Sequence, residues 1–224
     1  MVRTEEDVRY INRLVNLENK SVLEIGCGTG RITFPLAMKA REIVAIDVNE
    51  RVIEEASRRN RYENVRFSVG NIESVRLGSK FDVILSTWMG YMYLNDMPKA
   101  IQNISNHLED DGVFLLLCGY YDDEYTKIVR MLIGGKAKRT SFYNEVETIL
   151  SAFFTFERHI LKGELVFSSV REVTERLRLE LKNEYGLTMD NHHEQQLRGY
   201  LRSKDKLAIG NDSLAYRCRK HASR

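Results

Sequence analysis

Apolar positions along the chain fall into two alternating rhythms. Val8, Ile11, Leu14 and Val15 recur at helical spacing, and Thr4 followed three residues later by Asp7 has the form of a capping box, so a helix is expected before the first strand. Short apolar runs then follow: VLEIG, EIVAIDV, VRFSV and FDVILS, with amphipathic stretches near 31–39 and 49–60 between the first three. The order predicted is βαβαββ. Asp96 is placed to cap a further helix whose inner face is Ile101, Ile104 and Leu108, ending at Asp110 to Gly112 and feeding the run VFLLL. Runs that are apolar throughout predict strands buried on both faces, and so a parallel sheet between layers of helix.

Beyond Asp122 the pattern is less regular. DDEYTKIVRMLIG predicts a helix ending at Gly134, and the polar stretch GGKAKRTSFYN predicts a loop. Residues 147–167 fit strand and helix alike, although FFTFERHI has strand composition. Ser169 with Glu172 forms a second capping box, opening a helix through about Tyr185, and Asp190 or Asn191 caps another through about Ser203. LAIG and LAYRC flank Asn211-Asp212 as a hairpin that closes the sheet.

Composition narrows this picture. With 224 residues, 43% of them hydrophobic, and no linker, repeat or low-complexity stretch, the chain is expected to be one domain over 1–224. The 34 basic and 32 acidic residues leave a net charge of +2, so no global field draws it to nucleic acid or to an anionic membrane. The opening MVRTEEDVRY has no signal-peptide core, and no run of about 18 apolar residues predicts a membrane span. A cytoplasmic protein is expected, with Cys27, Cys118 and Cys218 as free thiols. No metal site is expected, because neither C-x-x-C pairs nor partners at zinc spacing for His192-His193 are present.

The chemistry concentrates in VLEIGCGTGRITFPLA, residues 22–37. Gly26, Gly28 and Gly30 between a buried strand and a helix let a backbone approach a ligand where any Cβ would collide, and present N–H groups at a helix start. A turn alone needs one glycine. A dinucleotide fingerprint would place a third glycine where Arg31 stands, and Glu24 inside the strand disfavours a pyrophosphate while favouring a cation. Asp47, ending the next strand, is placed to accept from both hydroxyls of a ribose. The two acids together suit a nucleoside carrying positive charge.

Taken in order, E-x-G-x-G-x-G, an acid ending the second strand, FDVILSTW and the LEDDGVFLLL passage resemble the class I S-adenosylmethionine-dependent methyltransferases, over roughly residues 20–120. The resemblance implies an α/β fold, a doubly wound and mostly parallel seven-stranded sheet with helices on both faces, Rossmann-like in type. It implies S-adenosylmethionine as cofactor, with Glu24, Gly26, Cys27, Gly28 and Gly30 around its methionine part, Asp47 on the ribose and Val48 beside the adenine. Where the family often has an acid, this chain has Asn71; its oxygen can accept from the adenine amine, with Ile72 giving a backbone N–H. Ser86, with Thr87, would lie near the methyl group.

An activated methyl needs a nucleophile aligned with it and water excluded, so no catalytic residue is obligatory, and none is assigned. A base would be required for a protonated nucleophile; His159, His192 and His193 have suitable pKa values, but all three sit among charges as surface histidines do. In STWMGYMYL, Trp88, Tyr91 and Tyr93 either pack a loop or wall an acceptor pocket. That stretch is not the N/D-P-P-Y/F of family members acting on exocyclic base nitrogens. Methyl transfer to a small-molecule acceptor is therefore expected, with 134–170 as a lid or specificity region. Two alternatives stand beside it: an RNA methyltransferase, for which a tail from Arg198 with eight Lys or Arg against two acids is the support, and a non-catalytic S-adenosylmethionine-binding protein. Nothing in the sequence speaks to oligomeric state.

Overall fold

A computed structural model describes residues 4–88, 94–135, 142–204 and 206–222. The chain divides into two compact units, one of Met1–Cys118, Tyr143–His159 and Leu214–Arg224, the other of Gly119–Phe142 and Ile160–Ser213.

The first unit is built on a seven-stranded sheet. Its opening helix α1 (Thr4–Leu14) precedes β1 (Ser21–Ile25), α2 (Thr33–Ala37), β2 (Glu42–Asp47), α3 (Glu50–Arg59), β3 (Val65–Val69), β4 (Phe81–Thr87), α4 (Met97–His107) and β5 (Leu108–Gly119). After the second unit's first segment come α6 (Phe142–Ser151) and β6 (Phe154–Leu161), and β9 (Ser213–Lys220) completes the sheet in the order β3-β2-β1-β4-β5-β9-β6. Pairings of β1 with β2 and β4, of β2 with β3, and of β4 with β5 are all parallel, as the continuous apolar runs predicted. Every residue of β1 is buried. β3 departs from that expectation: it is the edge strand, and only its first residue, Val65, is buried.

Asp96 caps α4 as its sequence predicted, accepting from the Lys99 amide at 3.0 Å. The helix stops at His107, however, three residues before the expected end. Leu108 is fully buried and pairs with Phe81, and a register shift follows before Val113 meets Val83, so LEDDG belongs to the strand. Burial of Leu108 against the sheet outweighs one more turn of helix. Gly112 allows the close approach there, since a Cβ would lie 3.0 Å from the Asp82 carbonyl oxygen.

The second unit packs α5 (Glu124–Leu132), α7 (Val170–Tyr185) and α8 (Asn191–Leu201) with a small antiparallel pair, β7 (Glu164–Val166) and β8 (Ala208–Gly210). Ile128, Leu132, Val173, Leu177, Leu197 and Ile209 belong to its own apolar core. Ser169 caps α7 by accepting from the Glu172 amide, and Asp190 caps α8 in a reciprocal box with His193. The polar loop expected at 134–144 is shorter than predicted: residues 136–141 lie outside the described residues, and α6 has begun at Phe142. Within the ambiguous 147–167, α6 ends at Ser151 and strands follow.

The hairpin expected across Asn211-Asp212 does not form. β8 pairs with β7, and β9 lies between β5 and β6. The polar groups of the two residues are bonded outward: the Asn211 amide donates to the Gly163 carbonyl, the Asp212 amide to Asp123 Oδ2, and Lys162 to the Asp212 carboxylate. Those bonds anchor the pair within the second unit and leave no two-residue turn.

Candidate functional site

Strand order reverses between β1 and β4, and in a doubly wound sheet the crevice beyond the carboxyl ends of the strands at such a point takes ligands. Among the described residues, those singled out by sequence, from Glu24 to Gly30 with Asp47, Val48, Asn71, Ile72, Ser86 and Trp88, lie at or just beyond the carboxyl ends of β1 to β4. β1 hands the chain to the glycine turn, where Gly26, Gly28 and Gly30 have φ of 73°, 54° and 85°, conformations that L side chains rarely adopt. Amides of Gly26 and Cys27 both donate to the Ile46 carbonyl, at 2.8 and 3.1 Å, pinning the turn to the end of β2.

The glycines are bare for different reasons. A Cβ at Gly30 would lie 2.7 Å from the Phe34 ring, so that position is emptied for packing against α2. At Gly28 a Cβ would meet no described atom within 4 Å, so open space lies beside it among the described residues. Cys27 between them is buried; desolvation, then the charges of Glu24 and Asp47, push its thiol well above the usual range, and it stays neutral.

Glu24 is 1% exposed and accepts from the Thr33 hydroxyl at 2.6 Å. Burial pushes its carboxyl up to about 7, against the lowering effects of the Thr33 hydrogen bond and the Arg31 charge. Asp47 uses both oxygens on the backbone: Oδ2 accepts from the Gly28 amide at 3.0 Å and Oδ1 from the Asn49 amide at 2.9 Å. Each oxygen retains a further lone pair. Val48, next along, is 67% exposed, unusual for an apolar side chain at a strand end.

Asn71 and Ile72 lie in the turn after β3. Asn71 Oδ1 accepts from the Glu73 amide at 2.8 Å, closing an Asx turn, so the oxygen suited to an adenine amine already has one donor. Ile72 is buried, and its carbonyl accepts from Asn103 of α4, whose amide also reaches the Val75 carbonyl. Ser86, the penultimate residue of β4, pairs with Ile25 and is fully buried, and its hydroxyl has no partner among the described residues. Trp88 follows in the left-handed region, φ 56°, and the residue is 37% exposed. Tyr91 and Tyr93 lie outside the described residues.

Sequence reasoning missed three residues here. Thr33 carries no motif, and only its hydrogen bond to Glu24 marks it. Asn103 is an ordinary helical polar residue in the sequence. Asp7, expected to close a capping box with Thr4, is buried and accepts from Arg31 and from the Trp88 indole.

Elsewhere, charged candidates have structural partners. His193 serves the α8 cap, and His159 lies 3.3 Å from Glu157. In the basic tail, Arg217 donates to the Leu14 carbonyl and pairs with Glu157, Lys220 donates to the Leu108 carbonyl and pairs with Asp110, and Lys204 pairs with Glu124. Among the described residues no group of three or more His, Cys, Asp or Glu could hold a metal ion, and no described helix is long and apolar enough to cross a membrane.

A doubly wound sheet with a glycine turn, an acid inside β1 and an acid ending β2 defines a nucleoside-binding α/β protein of the methyltransferase type. Residues 16–132 match the family described as a methyltransferase domain, and the chain belongs to it, with the class I S-adenosylmethionine-dependent fold. It is 38% identical over 96 residues to the malonyl-[acyl-carrier protein] O-methyltransferase of Bacillus anthracis, a match covering 42% of this chain and 35% of that protein. The chain thus spans about a third of that relative. Among solved structures, YcgJ of Bacillus subtilis superimposes with a TM-score of 0.65 at 19% identity, over 97% of this chain and 99% of that one. The N-methyltransferase NodS of Bradyrhizobium japonicum, solved with S-adenosyl-L-homocysteine, gives 0.58 at 22% identity over 96% and 86%. These two likenesses concern the fold.

Proposed function

We propose that the protein transfers a methyl group from S-adenosylmethionine to a small-molecule acceptor. The observation that carries the reading is the open space beside Gly28, flanked by a buried acid, Glu24, and an acid with spare lone pairs, Asp47. That set suits a cationic nucleoside. Asp47 would hold the ribose hydroxyls and Val48 would border the adenine, with Asn71 accepting from its amine and Ile72 donating to the ring. The glycine turn, with Cys27, and Glu24 would surround the methionine part, where the ammonium and sulfonium favour an anion. Ser86 belongs to the same end; among the described residues its buried hydroxyl has no partner, which suits a bond to a ligand atom.

S-adenosylmethionine supplies a methyl already activated on sulfur. The work left to this chain is to orient the acceptor in line with that methyl and to keep water out. Trp88, with Tyr91 and Tyr93, is proposed to wall the acceptor side, because it follows the strand that ends at Ser86 and Thr87. Residues 1–224 are proposed to act as one methyltransferase domain, with 134–170, beyond the family-matched stretch, supplying acceptor specificity. The names of the relatives differ in the atom methylated, oxygen in one and nitrogen in another. Three buried free cysteines support a reducing, cytoplasmic setting.

Incubating the protein with methyl-labelled S-adenosylmethionine and cell extract tests the reading. Label is expected in the low-molecular-weight fraction. Label in RNA would establish the RNA alternative, which the engaged Arg217 and Lys220 do not favour. Label in no fraction, with S-adenosylhomocysteine bound normally, would leave a binding protein.

Asp47→Ala should weaken S-adenosylhomocysteine binding about tenfold or more by calorimetry, since hydrogen bonds to a charged group contribute roughly 1.5–3 kcal/mol. Part of the loss comes from freeing the Gly28 and Asn49 amides that the carboxylate holds. An unchanged dissociation constant would remove Asp47 from the site.

A further inference from the structure

Asp7 of α1 is only 1% exposed, although it lies within two turns of the helix start. Its Oδ2 accepts from two directions, from Arg31 Nη1 at 2.8 Å and from Trp88 Nε1 at 2.9 Å. One belongs to the glycine turn and the other to the segment after β4, so a single carboxylate oxygen joins both rims of the site. Trp88 is also conformationally unusual. Its φ of 56° is rarely taken by a bulky residue, and its amide donates to the Leu117 carbonyl at 2.9 Å. Backbone and ring are therefore each tied down, while more than a third of the residue remains exposed.

We propose that Asp7 is a positioning residue for methyl transfer, which fixes the Trp88 ring on the acceptor side and ties it to Arg31 of the cofactor turn. The proposal rests on the reading of Trp88 as an acceptor wall. A tryptophan ring can wall a pocket in only a few orientations, and its one polar atom selects among them. Asp7 makes that selection from a second element, and its 2.8 Å contact with Arg31 holds the buried carboxylate in place. Removal of Asp7 frees the indole to rotate, so the acceptor loses its alignment with the methyl while the ribose and adenine contacts are untouched.

Trp88 is the only tryptophan of the chain, so its fluorescence reports this residue alone. The test compares Asp7→Ala, Asp7→Asn, Trp88→Phe and Trp88→Ala. It reads acrylamide quenching, S-adenosylhomocysteine affinity by calorimetry, and label transfer into the low-molecular-weight fraction of cell extract. Asp7→Ala is expected to raise the quenching constant about twofold and slow transfer about tenfold or more, with affinity for S-adenosylhomocysteine within about threefold of wild type. Asp7→Asn keeps an acceptor oxygen and recovers most of the transfer. Trp88→Phe keeps the Asp7–Arg31 pair, loses the indole N–H and slows transfer with cofactor affinity unchanged; it also decides the matter if Asp7→Ala does not fold. Wild-type transfer in Asp7→Ala and Trp88→Phe, with loss in Trp88→Ala, overturns the proposal alone. So does an equal loss of transfer and cofactor affinity in Asp7→Ala, the mark of a merely structural role. Unchanged transfer in Trp88→Ala overturns the acceptor-wall reading and the proposal with it.

Discussion

Gly28→Val abolishes measurable cofactor binding while the protein stays folded: that is the expected result, a loss on the order of 100-fold or more by calorimetry. Two features of the position combine. Its φ of 54° is left-handed, which costs an L residue about 1–2 kcal/mol, and more with a β-branched side chain. That strain lowers the thermal midpoint by roughly 2–8 °C in a domain of this size. The larger effect is on the ligand, because a Cβ here meets no described protein atom within 4 Å and projects into the open space instead. Gly30 provides the contrast. Its Cβ would press on Phe34 at 2.7 Å, so Gly30→Val should act first on stability. Wild-type affinity in Gly28→Val would detach the glycine turn from the cofactor.

The contrast between the two glycines also shows what was legible before the structure. That the turn needs left-handed backbone is a local requirement, and glycine records it in the sequence; which of the glycines faces a ligand depends on where Phe34 lands. Asp47 was placed correctly at the end of β2 because strand ends are local too, but its bonds to Gly28 and Asn49 were not anticipated. The sheet's central strands were read from continuous apolar runs, which report burial directly. The misreadings occur where a distant partner overrides a local pattern. Asp7 satisfies the spacing of a capping box, yet its partners lie 24 and 81 residues away. Leu108 fits a helical face and is taken by the sheet through Phe81. Asn211-Asp212 has hairpin chemistry, and Asp123 and Lys162 claim it. In each case the competing contact buries a side chain or pairs a charge, and those gains exceed the tenths of a kilocalorie that separate local preferences.

Glu24 carries the second large effect, a pH dependence of cofactor affinity. Its carboxyl titrates near 7 in the free protein because burial disfavours the charged form, whereas a cationic ligand requires the carboxylate. Below pH 7 binding must therefore release a proton, and affinity for S-adenosylmethionine should fall about tenfold per pH unit, so that pH 5.5 is about 30-fold weaker than pH 8. Adenosine, which has neither the ammonium nor the sulfonium, should bind with little change over the same range. Stability of the free protein runs the other way. The folded state holds this proton more tightly than the unfolded chain, whose ordinary value is 4.5, so Glu24's contribution is fully present below about 4.5 and is lost as pH rises through about 7. Glu24→Gln, which stays neutral, should accordingly gain in thermal midpoint relative to wild type between pH 5 and pH 7.5, while its S-adenosylmethionine affinity stays low and flat with pH. Calorimetry in buffers of different ionisation enthalpy counts the proton released on binding. Were S-adenosylmethionine to bind equally well at pH 5.5 and pH 8 with no proton released, Glu24 would have no charge interaction with the cofactor, and its burial beside Thr33 would serve the fold alone.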